Sequence, residues 1–236
     1  LSKRSILDWN TTDIYKSNVV SLVRFDDTAG GYPPVDETGR VWSLAGGNPT
    51  TSPALFGKSR EFGPYGGGAT TVITAADTAL DMGTGDFTVE FALYSASSAQ
   101  GNYASPMGSN RFGWGPGAAL FSFQPGSNSR LDFYEYDYYT AHATYAATFG
   151  TYIPNVWTRY ALVRSGTNLL AFVNGILVFT RTGFTQAVNF GYGGMALGFN
   201  LINSHNYEGY MDEFRLTKGV ARYLSNYTPL TSPFPY

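Results

Sequence analysis

The chain has 236 residues, no cysteine and a formal net charge of −2. The missing cysteines exclude disulfides, thiolate metal sites and cysteine nucleophiles, and the slight acidity offers no basic surface to a nucleic-acid backbone. Charged residues make up only 14%, against 17% aromatics and 28 glycines. That balance suits short β-strands and tight turns, not long surface helices, whose exposed faces need Glu, Lys and Arg.

In chain order, residues 1–16 are polar, with Lys3, Arg4 and Lys16 and scattered apolar positions. They read as an N-terminal arm or linker: either a loose terminus or an arm that docks on a neighbouring subunit through Ile6, Leu7, Trp9 and Ile14. The first ten residues contain no signal-type apolar stretch, and a start at Leu1 fits a processed or excised chain. Residues 17–236 are expected to form one β-sandwich domain.

Strand signals recur from Asn18 onwards. Val19–Phe25 is apolar and β-branched, and Asp, Gly and Pro residues break it over 26–34. Asp86–Leu93 alternates with period two, which puts Phe87, Val89, Phe91 and Leu93 on one face. Two further strands are expected at Leu120–Phe123 and Leu131–Tyr139, and Trp157–Arg164 reads as a strand covered on both faces. Asn174-Gly175 between the apolar runs Leu169–Val173 and Ile176–Thr180 specifies a two-residue hairpin with a type I′ turn. Tyr210–Thr217 is the last clear strand. No window carries a 3.6-residue apolar stripe, and no apolar run is long enough to cross a bilayer, so membrane insertion is not expected. Many short strands with close turns predict an all-β fold of two packed antiparallel sheets.

Four ordered segments resemble one family. They are Val23-Arg24-Phe25-Asp26 with Asp36-Glu37-Thr38-Gly39, Asp86–Phe91, Trp157–Arg164 followed by Leu169–Gly175, and Glu208–Tyr223. Together they are similar to the opening, strand and closing motifs of laminin-G-like jelly rolls of the concanavalin A-like lectin/glucanase superfamily, over roughly residues 17–230. The resemblance implies a concanavalin A-like jelly-roll sandwich. The ending Thr217-Lys218-Gly219-Val220-Ala221-Arg222-Tyr223 resembles a branch common in bacteriophage and marine bacterial proteins. It implies a virion or cell-surface protein, with surface glycans, sister subunits or other virion proteins as partners.

Superfamily members that cleave glucans use two carboxyl groups about 5–5.5 Å apart, which a strand supplies as Glu-x-Asp followed by a second Glu. Here Glu135-Tyr136-Asp137 begins that pattern, but positions 139 and 140 are Tyr and Thr. The expectation is therefore a binding protein and not an enzyme, with a purely structural virion assembly or decoration subunit as the first alternative and a glycoside hydrolase of the same superfamily as the second. The binding candidate is the aromatic strand, continuing to His142 and Tyr145: Tyr134, Tyr136 and Tyr138 share one face and Phe133, Glu135 and Asp137 the other, with Asp137, Glu135, Asn128 and Arg130 to supply hydrogen bonds and His142 as a further ligand-binding candidate. A tyrosine ring fits the apolar face of a sugar and its hydroxyl fits the rim; tyrosines equally suit packing between sheets or a subunit interface. Trp114 is a second aromatic candidate. In related jelly rolls the first and last strands are neighbours and a structural calcium can sit there, so the resemblance nominates Asp26, Asp36 and Asp212 as oxygen ligands. The alternative for these carboxylates is turn capping, with Glu213 and Arg215 paired on one strand face.

Overall fold

The structure is a computed structural model and describes residues 12–26, 33–45, 53–63, 71–74, 76–95, 104–109, 117–123, 130–137, 142–198 and 206–236. It contains sixteen strands among these residues: β1 (Val19–Val23), β2 (Trp42–Ala45), β3 (Arg60–Phe62), β4 (Thr71–Thr74), β5 (Asp81–Gly83), β6 (Phe87–Ser95), β7 (Met107–Ser109), β8 (Ala119–Phe123), β9 (Arg130–Asp137), β10 (His142–Thr151), β11 (Trp157–Ser165), β12 (Asn168–Val173), β13 (Ile176–Arg181), β14 (Val188–Asn189), β15 (Met195–Leu197) and β16 (Gly209–Lys218). The helical content of the described residues is two short 3₁₀ turns.

Two seven-stranded antiparallel sheets form the layers. The first runs β1-β16-β6-β11-β12-β13, with β3 also paired to β16; the second runs β10-β9-β8-β7-β15-β4-β2. Period-two alternation fills the space between them. Phe87, Val89, Phe91 and Leu93 point inward as their spacing demands, and meet Phe121, Phe133, Phe149 and Phe190 from across the core. Phe91 packs edge-to-face on Phe121, with centroids 5.0 Å apart, the arrangement favoured by opposed ring quadrupoles. The hairpin turn is as expected: Asn174 (φ 48°) and Gly175 (φ 79°) both take the left-handed conformation that a type I′ turn requires.

A bulge in β16 was not visible in the sequence. Pairing with β6 is regular up to Asp212↔Ala92 and resumes at Arg215↔Glu90, so Glu213 and Phe214 together oppose Phe91. Glu213 takes φ 54°. The extra residue keeps both Met211 and Phe214 in the core and sends Asp212, Glu213 and Arg215 to the outer face of the first sheet.

That outer face is covered by the chain's own C-terminus. Residues 219–227 cross it, with Ala221, Tyr223 and Tyr227 packing on Ala161, Val163, Leu170 and Phe172. The Tyr227 N–H donates to the Gly175 carbonyl at the far hairpin. The segment then returns, and the Phe234 N–H donates to Glu213 Oε2 at 2.5 Å. Pro229, Pro233 and Pro235 favour this extended course by fixing φ and lacking amide donors.

The strap is held by a buried ionic cluster. Arg215 Nη2 lies 2.8 Å from Glu90 and its Nη1 3.1 Å from Asp13, while Arg222 Nη2 lies 2.7 Å from Asp13. The Tyr223 hydroxyl donates to Glu90 at 2.7 Å. The Arg222 N–H donates to Thr88 Oγ1, which itself donates to the Val220 carbonyl. Removing one member of a buried ionic set leaves its partners' charges uncompensated, which costs about 3–5 kcal/mol. Asp13→Ala should therefore lower unfolding stability by about that amount in urea titration; a loss below about 1 kcal/mol, the size of a surface pair, would contradict this role for the cluster.

Candidate functional site

The tyrosine strand is β9, at the β10 end of the second sheet. Tyr134 is half-buried and faces outward, the direction opposite to Phe133 and Leu131, which lie in the core. Tyr145 of β10 stands directly across from it in register, as Ala143 does from Tyr136 and His142 from Asp137. The backbone thus brings Tyr134, Tyr136, Asp137 and His142 onto one hairpin. Tyr138 and Trp114 lie outside the described residues. On Tyr134's face, Arg130 forms a 2.7 Å ion pair with Asp132, which is fully buried and has one oxygen, Oδ1, without a hydrogen-bond partner.

Glu135 lies with Phe133 on the inward side of β9, where the alternation puts it. It is only 3% exposed, so the expectation that it supplies hydrogen bonds to a ligand is corrected. The same placement bears on hydrolysis: the first carboxylate of the incomplete glucanase pattern points at the core.

The three acidic candidates have different fates. Asp36 is a structural cap. Its Oδ1 accepts from the Leu22 and Thr38 amides and the Thr38 hydroxyl, and its Oδ2 from the Ser21 hydroxyl and the Trp42 indole. Five donors leave no lone pair aimed at a cation, as the turn-capping alternative anticipated. Asp26 Oδ1 accepts from the Lys58 amide, and Asp212 Oδ2 accepts from the Leu55 and Phe56 amides. Among the described residues no group of three His, Cys, Asp or Glu side chains is placed to hold a metal ion. The expected Glu213–Arg215 pair is also absent, because Arg215 turns to Glu90 and Asp13.

What the sequence did not reveal is a cavity of about 250 Å³ between the first sheet's outer face and the returning strap. Its walls include Phe56, Arg159, Glu213, Tyr227, Pro229 and Phe234, and the ionic cluster closes one side. Burial pushes the Asp212 carboxyl up to about 8, against the pull of the Phe56 amide and with the push of the Glu213 charge. Burial likewise raises Glu213 to about 7, opposed by the Phe234 amide and by Arg24. Each acid has one buried oxygen without a hydrogen-bond partner, Oδ1 of Asp212 and Oε1 of Glu213. Arg159 is pushed down by burial and pulled back by Tyr227, Glu213 and Asp212. Its guanidinium lies 5.3 Å from the Phe56 ring centroid. No sequence motif marks this site, because its walls come from six separated segments.

Two antiparallel seven-stranded sheets, with first and last strands adjacent and the Asn-Gly hairpin at one edge, define a concanavalin A-like jelly roll. The chain belongs to the Laminin_G_3 family of the concanavalin A-like lectin/glucanases superfamily, whose model matches residues 66–221. No curated protein sequence matches it. Among solved structures it is similar to domain 4 of an extracellular arabinanase from Geobacillus stearothermophilus, determined with arabinotriose (TM-score 0.64, 15% identity, covering 86% of this chain and 94% of that one). It is also similar to the binding domain of Paraclostridial Mosquitocidal Protein 1 (0.62, 13%, 86% and 49%). The receptor binding domain of the botulinum neurotoxin C/D mosaic serotype is a further match (0.63, 11%, 87% and 49%). The chain spans about half the length of the two toxin structures. At these identities the likeness is one of fold.

The raised acids fix a pH dependence. A carboxyl whose folded pKa exceeds its unfolded value contributes stability that is complete at low pH and is lost as pH rises to the folded value. For Asp212 that window runs from 3.8 to about 8, and for Glu213 from 4.5 to about 7. Asp212→Asn should then raise stability at pH 8 by about 1–3 kcal/mol and change it little at pH 4, read from urea melts at both values. An equal effect at both pH values would show that the carboxyl is not held neutral by burial.

Proposed function

We propose that the chain is a non-enzymatic, carbohydrate-binding and adhesive sandwich of a phage virion or bacterial surface protein. The observation that carries the sugar reading is Tyr134: an aromatic ring facing outward on β9, flanked by the Arg130–Asp132 ion pair and lying in register opposite Tyr145. A flat ring beside the exposed Arg130 guanidinium, which Asp132 holds from below, is what a pyranose or furanose needs, an apolar face to stack on and a donor for its hydroxyl rim. The bound arabinotriose of the similar arabinanase domain supports sugar as the ligand class, and the toxin binding domains support a role in attachment. The inward Glu135 and the missing second Glu support binding without cleavage. The surface or virion setting rests on the Thr217–Tyr223 ending. The N-terminal arm, residues 1–16, is proposed to reach sister copies or other virion subunits, with the buried Asp13 tying it to the sandwich. Calcium remains a proposal confined to Asp26 and Asp212.

Glycan-array screening followed by titration against the strongest polysaccharide tests this reading. Tyr134→Ala should weaken binding about tenfold, equivalent to about 1.4 kcal/mol, with the melting temperature unchanged because the ring is only half-buried. Absence of binding across a broad panel by a folded protein, or full affinity in Tyr134→Ala, would contradict it.

A further inference from the structure

The cavity under the C-terminal strap lies on the other sheet from Tyr134 and does not depend on the sugar reading of β9. Its charges sort into two sets. Arg215, Arg222, Asp13 and Glu90 satisfy one another through the ion pairs and hydrogen bonds described above. Arg159 and Glu213 remain. They interact electrostatically, yet no ion pair within 4 Å joins them. Arg159's guanidinium lies over the Phe56 ring, 5.3 Å from its centroid. Glu213 is 3% exposed and its Oε1 has no donor. A buried polar group left without a partner costs about 1–3 kcal/mol; Glu213 Oε1 is such a group, and the half-buried Arg159 lines the same pocket with its donor fork.

Those needs define a ligand. A guanidinium fork matches a carboxylate bidentately, and the ring stack on Phe56 fixes its plane. The buried carboxyl oxygen matches a hydroxyl. Tyr227, Pro229 and Phe234 supply apolar wall for a ring face. The volume of about 250 Å³ falls below the range of drug-sized sites, about 300–1,000 Å³, so the pocket takes one ring and not a chain. We propose that this cavity binds the carboxylate-bearing ring of a sugar acid, with Arg159 donating to the carboxylate and Glu213 accepting from a ring hydroxyl.

Calorimetric titration of the full chain with D-glucuronate and D-galacturonate, with D-glucose and D-galactose as neutral counterparts, decides it. At least one uronate should saturate below about 20 mM and bind at least about tenfold more tightly than its neutral counterpart. Arg159→Gln should remove about tenfold or more of that affinity, whereas Tyr134→Ala should leave it unchanged. If Arg159→Gln does not fold, the wild-type preference and a weakened Glu213→Gln variant carry the same decision. Lack of saturation by either uronate, equal binding of the neutral sugars, or full affinity in the folded Arg159→Gln protein would overturn the proposal. Uronate binding lost in Tyr134→Ala would also overturn it and would place the ligand on β9.

Discussion

Glu90 and Arg215 stand opposite each other at the centre of the first sheet, on the face that points away from the core. Neither tolerates burial alone, and a bare sheet face with Phe172, Val163 and Leu170 beside them does not stay exposed to water. Both problems have one solution. The chain brings Asp13 from one end and Arg222 with Tyr223 from the other, closing a set of two cations and two anions. The strap that this cluster fixes then buries the apolar half of the face. The pairing of β1 with β16 brings the segment before β1 to the face that carries the cluster.

Seen this way, the family motifs are devices for building the fold. In Asp86–Phe91, the Asp86 carbonyl accepts from Gly219 and its side chain from Gly166, while Thr88 and Glu90 anchor the strap. In Trp157–Arg164, Arg164 is buried and donates to the carbonyls of Gly166, Phe184 and Gln186, which tie down the loop after β13. Asn174 Oδ1 accepts from the Arg159 amide, so the hairpin turn also braces the strand that carries the cavity's arginine. In the closing motif, Arg222 Nε donates to Thr217 Oγ1. The resemblance therefore speaks strongly for the sandwich and says little about the ligand.

The sequence was legible where one local rule sufficed. Alternation placed Phe87 to Leu93, and Asn174-Gly175 placed the turn. It was silent where position depends on distant partners. The β16 bulge is set by the need to keep Met211 and Phe214 inward against β6, which no spacing within 209–218 reveals. Alternation also placed Glu135 with Phe133 on β9, but the burial of Asp132 on the opposite side depends on cover that nothing local in the sequence reveals. Asp36 looked like a calcium ligand because carboxylates in loops serve both roles; only its five donors tell them apart. The cavity was invisible because Phe56, Arg159, Glu213 and Phe234 are far apart in the chain, and the strap that assembles them has the composition of an ordinary terminus.

A preformed cavity requires the strap to stay down when the rest of the protein is folded. Native-state hydrogen exchange measures this directly at the amides of Arg222, Tyr227 and Phe234, whose acceptors are Thr88, Gly175 and Glu213. The account predicts protection close to that of β6 and β16, with opening only on global unfolding. Exchange of these three amides by a low-energy local opening, while the two strands remain protected, would contradict it.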